Sequence, residues 1–165
     1  MGEGEGQAQV AGGLDLSRVF VDADGCPVKE EIYRVARRHG LEVVLVSNSW
    51  MRVPQESWIE LIVVGGDLDA ADDWIVENVT ETDVVVSADI PLASRCLEKG
   101  TRVIGHRGRA FTVDNIGDAL ANRELLSQLR EVGNVTGGPA AFGKRDRSRF
   151  LEGFEEILRS IHRGR

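Results

Sequence analysis

Five short apolar segments alternate with longer amphipathic segments from residue 18 onward, and this alternation constrains the fold most. The apolar segments are VFVD (19–22), LEVVLVSN (41–48), WIELIVV (58–64), DVVVSAD (83–89) and TRVIG (101–105). Their β-branched residues predict strands, and helices are predicted over residues 28–40, 65–79, 90–100, 114–131 and 147–161. Alternating strands and helices imply parallel βαβ units covered on both faces. We therefore predict an α/β fold with a mainly parallel, four- to five-stranded sheet and two C-terminal helices packed on or beside it.

Composition excludes several classes of protein. The chain has 165 residues, of which 42% are hydrophobic, enough for the core of one domain. Its longest apolar runs are four residues, whereas a membrane-spanning helix needs about 20. Residues 1–16 are rich in Gly, Glu and Gln and lack the features of a secretory signal, so we expect a disordered tail before a single domain over 17–165. Two cysteines do not form a disulfide framework, which favours a cytoplasmic location.

Charge is distributed unevenly along the chain. The net charge is −7, but residues 1–101 carry 8 Lys+Arg against 19 Asp+Glu, whereas residues 102–165 carry 12 against 8. Nearly all the basic residues are arginines, whose planar guanidinium groups bind phosphate bidentately. The overall acidity argues against strong nonspecific binding of nucleic acid, but it leaves room for a local phosphate site.

Acidic and amide side chains follow the predicted strands. In an open parallel sheet, ligands bind beyond the carboxyl ends of the strands. Clustered carboxylates repel one another unless a cation or a proton is shared, and such oxygen sites suit Mg²⁺ or Mn²⁺. We expect an ion there to activate water for phosphodiester hydrolysis. The residues at this edge are Asp22, Asp24, Asn48, Asp69, Asp72 and Asp89.

Helix capping is the competing explanation for the same acids. Asp24 precedes the first predicted helix, Asp67 or Asp69 follows the Gly turn that opens the second, and Asp89 precedes the third; Asp is a favoured N-cap residue. Capping accounts for each acid about as well as metal binding does, but less well for several acids converging on one edge. We expect Asp73, Asp83 and Asp114 to be solvated.

A basic segment follows the last predicted strand. Gly137 and Gly138 allow close approach of the backbone to an anion, and the segment KRDRSRF (144–150) is rich in arginine. The alternative is an ordinary solvated helix start capped by Asp146. The predicted phosphate-binding set is Asn48, Arg52, Arg107, Gly137, Gly138, Arg145 and Arg147, with Arg109 beside it.

Two other reactive side chains lie near the predicted strand ends. Cys26 lies near a helix start, but neighbouring carboxylates disfavour a thiolate, so a structural thiol is the better interpretation. His106 follows the last predicted strand and is the one histidine placed to line the site.

Six short motifs match one protein family in order. They are DADGCPV (22–28), SNSWMRVP (47–54), DAAD (69–72), ADIPLA (88–93), TGGP (136–139) and KRDRSRF (144–150). On these motifs the chain resembles the YaiI/YqxD family of small bacterial proteins, across about residues 18–160. Gly25 stands where many relatives have Ala.

That family is similar to a branch of the PIN-like nuclease superfamily. The resemblance implies a three-layer α/β/α sandwich whose acids hold Mg²⁺ or Mn²⁺. Carried over by position, the first-strand acids are Asp22 and Asp24, the helix acids are Asp69 and Asp72, and the later strand-end acid is Asp89.

Three functions remain open from the sequence. The first is a metal-dependent nuclease-like protein that acts on RNA or another phosphodiester, with Asp22, Asp24, Asp72 and Asp89 as catalytic metal ligands and Asp69 in support. The second is a non-catalytic PIN-like module that binds RNA or protein. The third is a haloacid-dehalogenase-like phosphatase with Asp22 as nucleophile, although the chain lacks a cap region and a convincing Ser/Thr-then-Lys pair.

Overall fold

A computed structural model of the chain describes residues 17–133 and 141–163. The described residues form six strands and five helices. The strands are β1 (Arg18–Asp22), β2 (Glu42–Ser47), β3 (Ile59–Val63), β4 (Val84–Val86), β5 (Arg102–Ile104) and β6 (Ala110–Phe111). The helices are α1 (Lys29–His39), α2 (Ala70–Asn78), α3 (Ile90–Glu98), α4 (Ile116–Glu131) and α5 (Lys144–Arg163).

The strands form one sheet in the order β3-β2-β1-β4-β5-β6. All neighbours are parallel except β5 and β6, which are antiparallel. The chain runs outward from β1 to β2 and β3, then returns through α2 to β4 on the other side of β1. The order therefore reverses between β1 and β4, and in open α/β sheets such a reversal opens a crevice beyond the strand ends.

Helices cover the sheet on both faces. Val19, Val21 and Leu45 face α1 and α5, where they pack with Phe150 and Phe154. On the opposite face Phe20, Val44, Val46 and Val85 pack with residues of α2 and α3. Successive side chains of β1 thus point alternately into the cores on the two faces of the sheet, as the two-residue period of a strand requires. This arrangement confirms an α/β fold with a mostly parallel sheet.

The number of strands was predicted wrongly. The sheet has six strands rather than four or five, because the polar segment after β5 contains the two-residue strand β6. A two-residue strand carries too few residues to show an alternating pattern. The predicted tail over residues 1–16 lies outside the described residues. None of the helices within residues 17–133 and 141–163 has the length and hydrophobicity needed to cross a bilayer.

Asp83 was also predicted wrongly, because it is buried rather than solvated. Its side chain accepts hydrogen bonds from the backbone N–H of Arg18 at 3.0 Å and of Thr80 at 2.8 Å. The Thr80 hydroxyl and the Arg18 guanidinium also contact it, at 3.1 and 3.4 Å. These contacts compensate the burial of the charge and tie the start of β1 to the start of β4.

The turn between β5 and β6 lies directly against α5. Gly108 in this turn has φ of 91°, and a Cβ there would clash with the carbonyl of Arg149. Gly153 sits one turn further along α5, and a Cβ there would clash with the Gly108 carbonyl oxygen. Two glycines therefore permit a backbone-to-backbone approach that fixes where His106, Arg107 and Arg109 lie.

Replacement of Gly153 by alanine tests this contact. In an unobstructed helix Gly→Ala raises stability by up to about 1 kcal/mol. Here we expect Gly153→Ala to lower the free energy of unfolding by about 1–3 kcal/mol, because the added methyl overpacks the contact with Gly108. Urea denaturation followed by circular dichroism measures the change. Gly117→Ala in α4 is the control, because its Cβ would meet no atom within 4 Å, and it should not destabilise. Stabilisation by Gly153→Ala would contradict the close approach.

Candidate active site at the carboxyl edge of the sheet

The two central strands end in hydrogen-bonded polar residues. Ser87, directly after β4, donates its hydroxyl to Oδ2 of Asp22 at the end of β1 over 2.8 Å. The same hydroxyl oxygen accepts the backbone N–H of Asp89 at 2.9 Å. Asp89 in turn accepts the N–H of Leu92 through Oδ1 at 2.9 Å, which makes it the N-cap of α3. Asp22 and Asp89 therefore flank the reversal in strand order.

Asp24 connects β1 to β2 and does not cap α1. Its Oδ1 accepts the Ser47 hydroxyl at 2.8 Å, and its Oδ2 accepts the backbone N–H of Asn48 at 2.9 Å. The N-cap residue of α1 is Val28, which makes no side-chain capping bond. The capping explanation therefore holds for Asp89 but not for Asp24.

The acids of α2 face the same edge. Asp69 occupies the N-cap position of α2 but makes no side-chain capping bond, and it is exposed. Asp72 is half-buried one turn into the helix. Asp73 points elsewhere and pairs with Arg95 at 2.9 Å.

Like charges and burial raise two carboxyl pKa values at this edge. The pKa of Asp22 is raised mainly by burial, an effect that the Ser87 hydrogen bond opposes and the charges of Asp89 and Asp24 reinforce. The pKa of Asp72 rises from 3.8 to about 6, first through burial and then through the charges of Asp89, Asp22 and Asp69, with Arg95 opposing. The structure therefore brings these acids into one electrostatic cluster, which we call the carboxylate cluster: Asp22, Asp24, Asp69, Asp72 and Asp89.

The donor set fits a cation that retains much of its water. Among residues 17–133 and 141–163, no three Asp, Glu, His or Cys side chains lie in the arrangement of a preformed metal site. Within those residues, however, Oδ1 of Asp22 and Oδ2 of Asp89 accept no hydrogen bond. Mg²⁺ typically binds through one or two carboxylates and keeps several waters, so these two oxygens suit it.

The predicted phosphate-binding residues are dispersed. Arg107 pairs with Asp146 at 2.8 Å, and Arg147 bonds the carbonyl of Pro27 at 2.7 Å and the Glu31 carboxylate at 3.3 Å. Arg145 is exposed at the start of α5. Arg52 lines a separate cavity of about 910 Å³ along the edge strand β3, which none of the carboxylate cluster lines.

Two further predictions concerned a pair of glycines before α5 and the N-cap of α5. Gly137 and Gly138 lie outside the described residues. Asp146 is not the N-cap of α5; it is the third residue of the helix and accepts the Gly143 N–H at 3.0 Å, as the third helical residue of a capping box does.

A basic cavity beside Asp89 was not predicted. It has a volume of about 710 Å³, and its lining includes Arg123 and Arg130 of α4 together with Arg107 and Arg109. The signal was present in the sequence, because Ala119, Arg123 and Arg130 recur at helical spacing on one face of α4. His106 also lines this cavity; its Nε2 is buried with no hydrogen-bond partner in the part of the chain that the structure describes, and burial lowers its pKa.

The cysteines have the chemistry of structural thiols. Cys26 and Cys96 are both buried and unpaired. Burial raises the pKa of Cys26 and raises that of Cys96 to about 11, so neither carries a thiolate near neutral pH.

The raised pKa of Asp72 predicts a specific pH dependence of stability. Between about pH 4 and pH 6 the folded state binds more protons at Asp72 than the unfolded state, so stability falls as pH rises through this interval. Asp72→Asn lacks this titration. In the presence of a chelator, the free energy of unfolding of the variant minus that of the wild type should therefore increase between pH 4 and pH 6. Above pH 6 this difference should stay constant.

Urea unfolding at several pH values measures the effect. Asp114→Asn, at an exposed position before α4, is the control and should show a pH-independent difference. A difference for Asp72→Asn that stays constant from pH 4 to pH 8 would show that neither burial nor the neighbouring acids raise the pKa of Asp72.

Comparisons with known proteins agree on one family. A family model described as "Uncharacterized BCR, YaiI/YqxD family" matches residues 20–160. A UPF0178 protein of Rhodopseudomonas palustris is 51% identical over 150 residues, covering 91% of this chain and 95% of the relative. A UPF0178 protein of Bradyrhizobium diazoefficiens is 53% identical over 149 residues, covering 90% and 89%. No solved structure matches the chain significantly. The motifs at the strand ends and these matches together show that the chain belongs to the YaiI/YqxD family.

Proposed function

We propose that the protein is a PIN-like, Mg²⁺- or Mn²⁺-dependent phosphodiesterase that acts on nucleic-acid strands, RNA foremost, in the cytoplasm. The observation that carries the proposal is the carboxylate cluster at the reversal of strand order, where burial and like charges raise the pKa values of Asp22 and Asp72. The two unpaired, buried cysteines are consistent with a reducing compartment.

The acids of the carboxylate cluster can be given roles in such a reaction. Asp22 and Asp89 would hold the ion through the oxygens that receive no hydrogen bond from residues 17–133 or 141–163, while Ser87 and the Leu92 amide fix their orientation. When bound, a divalent ion lowers the pKa of water and offsets charge on a phosphoryl oxygen. The pKa of Asp72 is raised by burial and, in the ion-free protein, by the charges of Asp89 and Asp22, so a cation beside these acids would lower it and Asp72 would face the water as an ionised carboxylate. Asp24 keeps the ends of β1 and β2 together through Ser47 and Asn48.

An exposed tryptophan supports a nucleic-acid substrate. Trp50 follows β2 two residues after Asn48, and 74% of its surface is exposed. Trp50 lines the cavity along β3 and not the carboxylate cluster, and an exposed aromatic ring at a groove offers a surface on which a base can stack. Leu68, 87% exposed, follows β3 at the same edge.

Cleavage of labelled RNA with Mn²⁺ tests the proposed activity. Asp22→Asn and Asp89→Asn should each lower the rate by at least about 10–100-fold, since loss of even an outer-shell partner costs this much. Asparagine still accepts the Ser87 hydroxyl at position 22 and still caps α3 at position 89, so the fold is retained. Asp114→Asn is the matched control and should cleave like the wild type. Equal rates in all four proteins would rule out this site.

Binding of single-stranded RNA tests the role of Trp50. Base–aromatic stacking contributes about 1–3 kcal/mol per base, so Trp50→Ala should weaken binding by roughly 5- to 150-fold. Fluorescence anisotropy of a labelled strand in chelator measures binding without turnover. Val113→Ala, at a position that is also 74% exposed, is the control for loss of an exposed apolar side chain. Unchanged binding by Trp50→Ala would show that Trp50 does not contact the bound strand.

A non-catalytic binding module is the second candidate. Two observations favour it: Asp89 caps α3, and the described residues hold no preformed three-ligand metal site. RNA binding without Mn²⁺-dependent cleavage, together with no binding of Mn²⁺ by calorimetry, would select this function over the enzyme.

A further inference from the structure

The basic cavity described above lies beside the carboxylate cluster but is built from other elements. The start of α3, the β5–β6 turn and one face of α4 line it as an open cavity, and Asp89 is part of its wall. Its volume of about 710 Å³ falls within the range of small-molecule sites. A ligand in this cavity would therefore lie next to the acids of the candidate active site.

Three arginines of this cavity are available to a ligand. Arg109, Arg123 and Arg130 are exposed, and no carboxylate in residues 17–133 or 141–163 forms an ion pair with them. Arg107 differs, because it pairs with Asp146. The acids of α4 do not line the cavity, so its positive charge is not neutralised by its own helix. Such a cluster of guanidinium groups is suited to bind phosphate.

Part of the remaining lining is apolar, next to the polar side chains of Asp89, His106 and Asn122. Phe111 and Ala119 belong to its lining, and Leu126 adds an aliphatic surface that is 40% exposed. An inorganic anion needs no such surface, whereas a nucleobase or other flat apolar group would cover it. The cavity thus combines sites for both parts of a nucleotide.

We propose that this cavity binds a nucleoside monophosphate unit, with its phosphate on Arg109, Arg123 and Arg130 and its base against Phe111 and Leu126. The unit is either a free nucleotide or the terminal unit of a single strand. In the second case the inference rests on the proposed function and places one end of the strand beside Asp89. Binding in the cavity itself requires neither a metal ion nor cleavage.

Binding measured in chelator tests the cavity separately from catalysis. The probes are AMP, UMP and short fluorescent single-stranded RNA with either a 5′-phosphate or a 5′-hydroxyl. The double variant Arg123→Ala/Arg130→Ala should bind the phosphate-bearing probes at least about tenfold more weakly. The salt dependence of its binding should also be shallower, by about 0.7 in slope for each phosphate that the variant no longer neutralises.

Arg34→Ala/Arg37→Ala is the matched control. These two arginines are exposed on α1, on the opposite face of the sheet, and lack ion pairs within the described residues, so their removal changes the net charge equally. The control should bind like the wild type, and thermal unfolding of both variants verifies that they are folded. Equal weakening by the two double variants, or by neither, would overturn the proposal.

The remaining outcomes distinguish the sources of the ligand. Tight binding of AMP or UMP identifies a free-nucleotide site, whereas preference for the 5′-phosphorylated strand identifies a strand-end site. If light scattering shows a dimer that Leu126→Glu dissociates, the cavity face is a subunit interface and the proposal is wrong. Loss of binding in Arg123→Ala/Arg130→Ala without any Mn²⁺-dependent cleavage by the wild type would refute the proposed enzyme and leave the cavity assignment standing.

Discussion

The hydrogen bond from the Ser87 hydroxyl to Asp22 joins the two central strands where the strand order reverses. The segments that follow β1 and β4 leave on opposite sides of this point, and such a reversal opens a crevice beyond the strand ends. A parallel sheet buried on both faces has few other places for polar groups. The candidate active site therefore lies at this edge because the topology leaves it open and the strands must end in polar residues there.

Charge at this edge is separated into two neighbouring regions. The carboxylate cluster lies over the central strands, whereas Arg109, Arg123 and Arg130 lie over β5, β6 and α4. The net charge of −7 is a sum over the whole chain, so it reflects the local charge of neither region. A strand with a negative backbone would meet repulsion over the acids and attraction over the arginines. A divalent ion at the acids would remove that conflict, so the cavity and the proposed ion site are complementary.

Local pattern predicted most of the fold and the acidic half of the site. The apolar runs predicted β1 to β5 because a buried strand shows its hydrophobicity in consecutive residues, and the carboxyl edge followed from parallel topology. β6 and the cavity depend on contacts distant in sequence. Gly108 approaches Gly153 across 45 positions, and Arg123 of α4 meets Arg109 only after α4 docks beside α3. Asp83 was misjudged for the same reason, since its partner Arg18 lies 65 residues away.

Capping and metal binding were alternatives in the sequence, but the structure makes them compatible. A carboxylate has two oxygens, and at Asp89 one of them caps α3 while the other accepts no hydrogen bond within the described residues. At Asp22, likewise, one oxygen accepts the Ser87 hydroxyl while the other accepts no hydrogen bond within the described residues. Asparagine would supply the same accepting oxygen at both positions without placing like charges together. The hydrogen bonds therefore explain why these side chains are polar but not why they are negatively charged, and the proposed cation would give that charge a role.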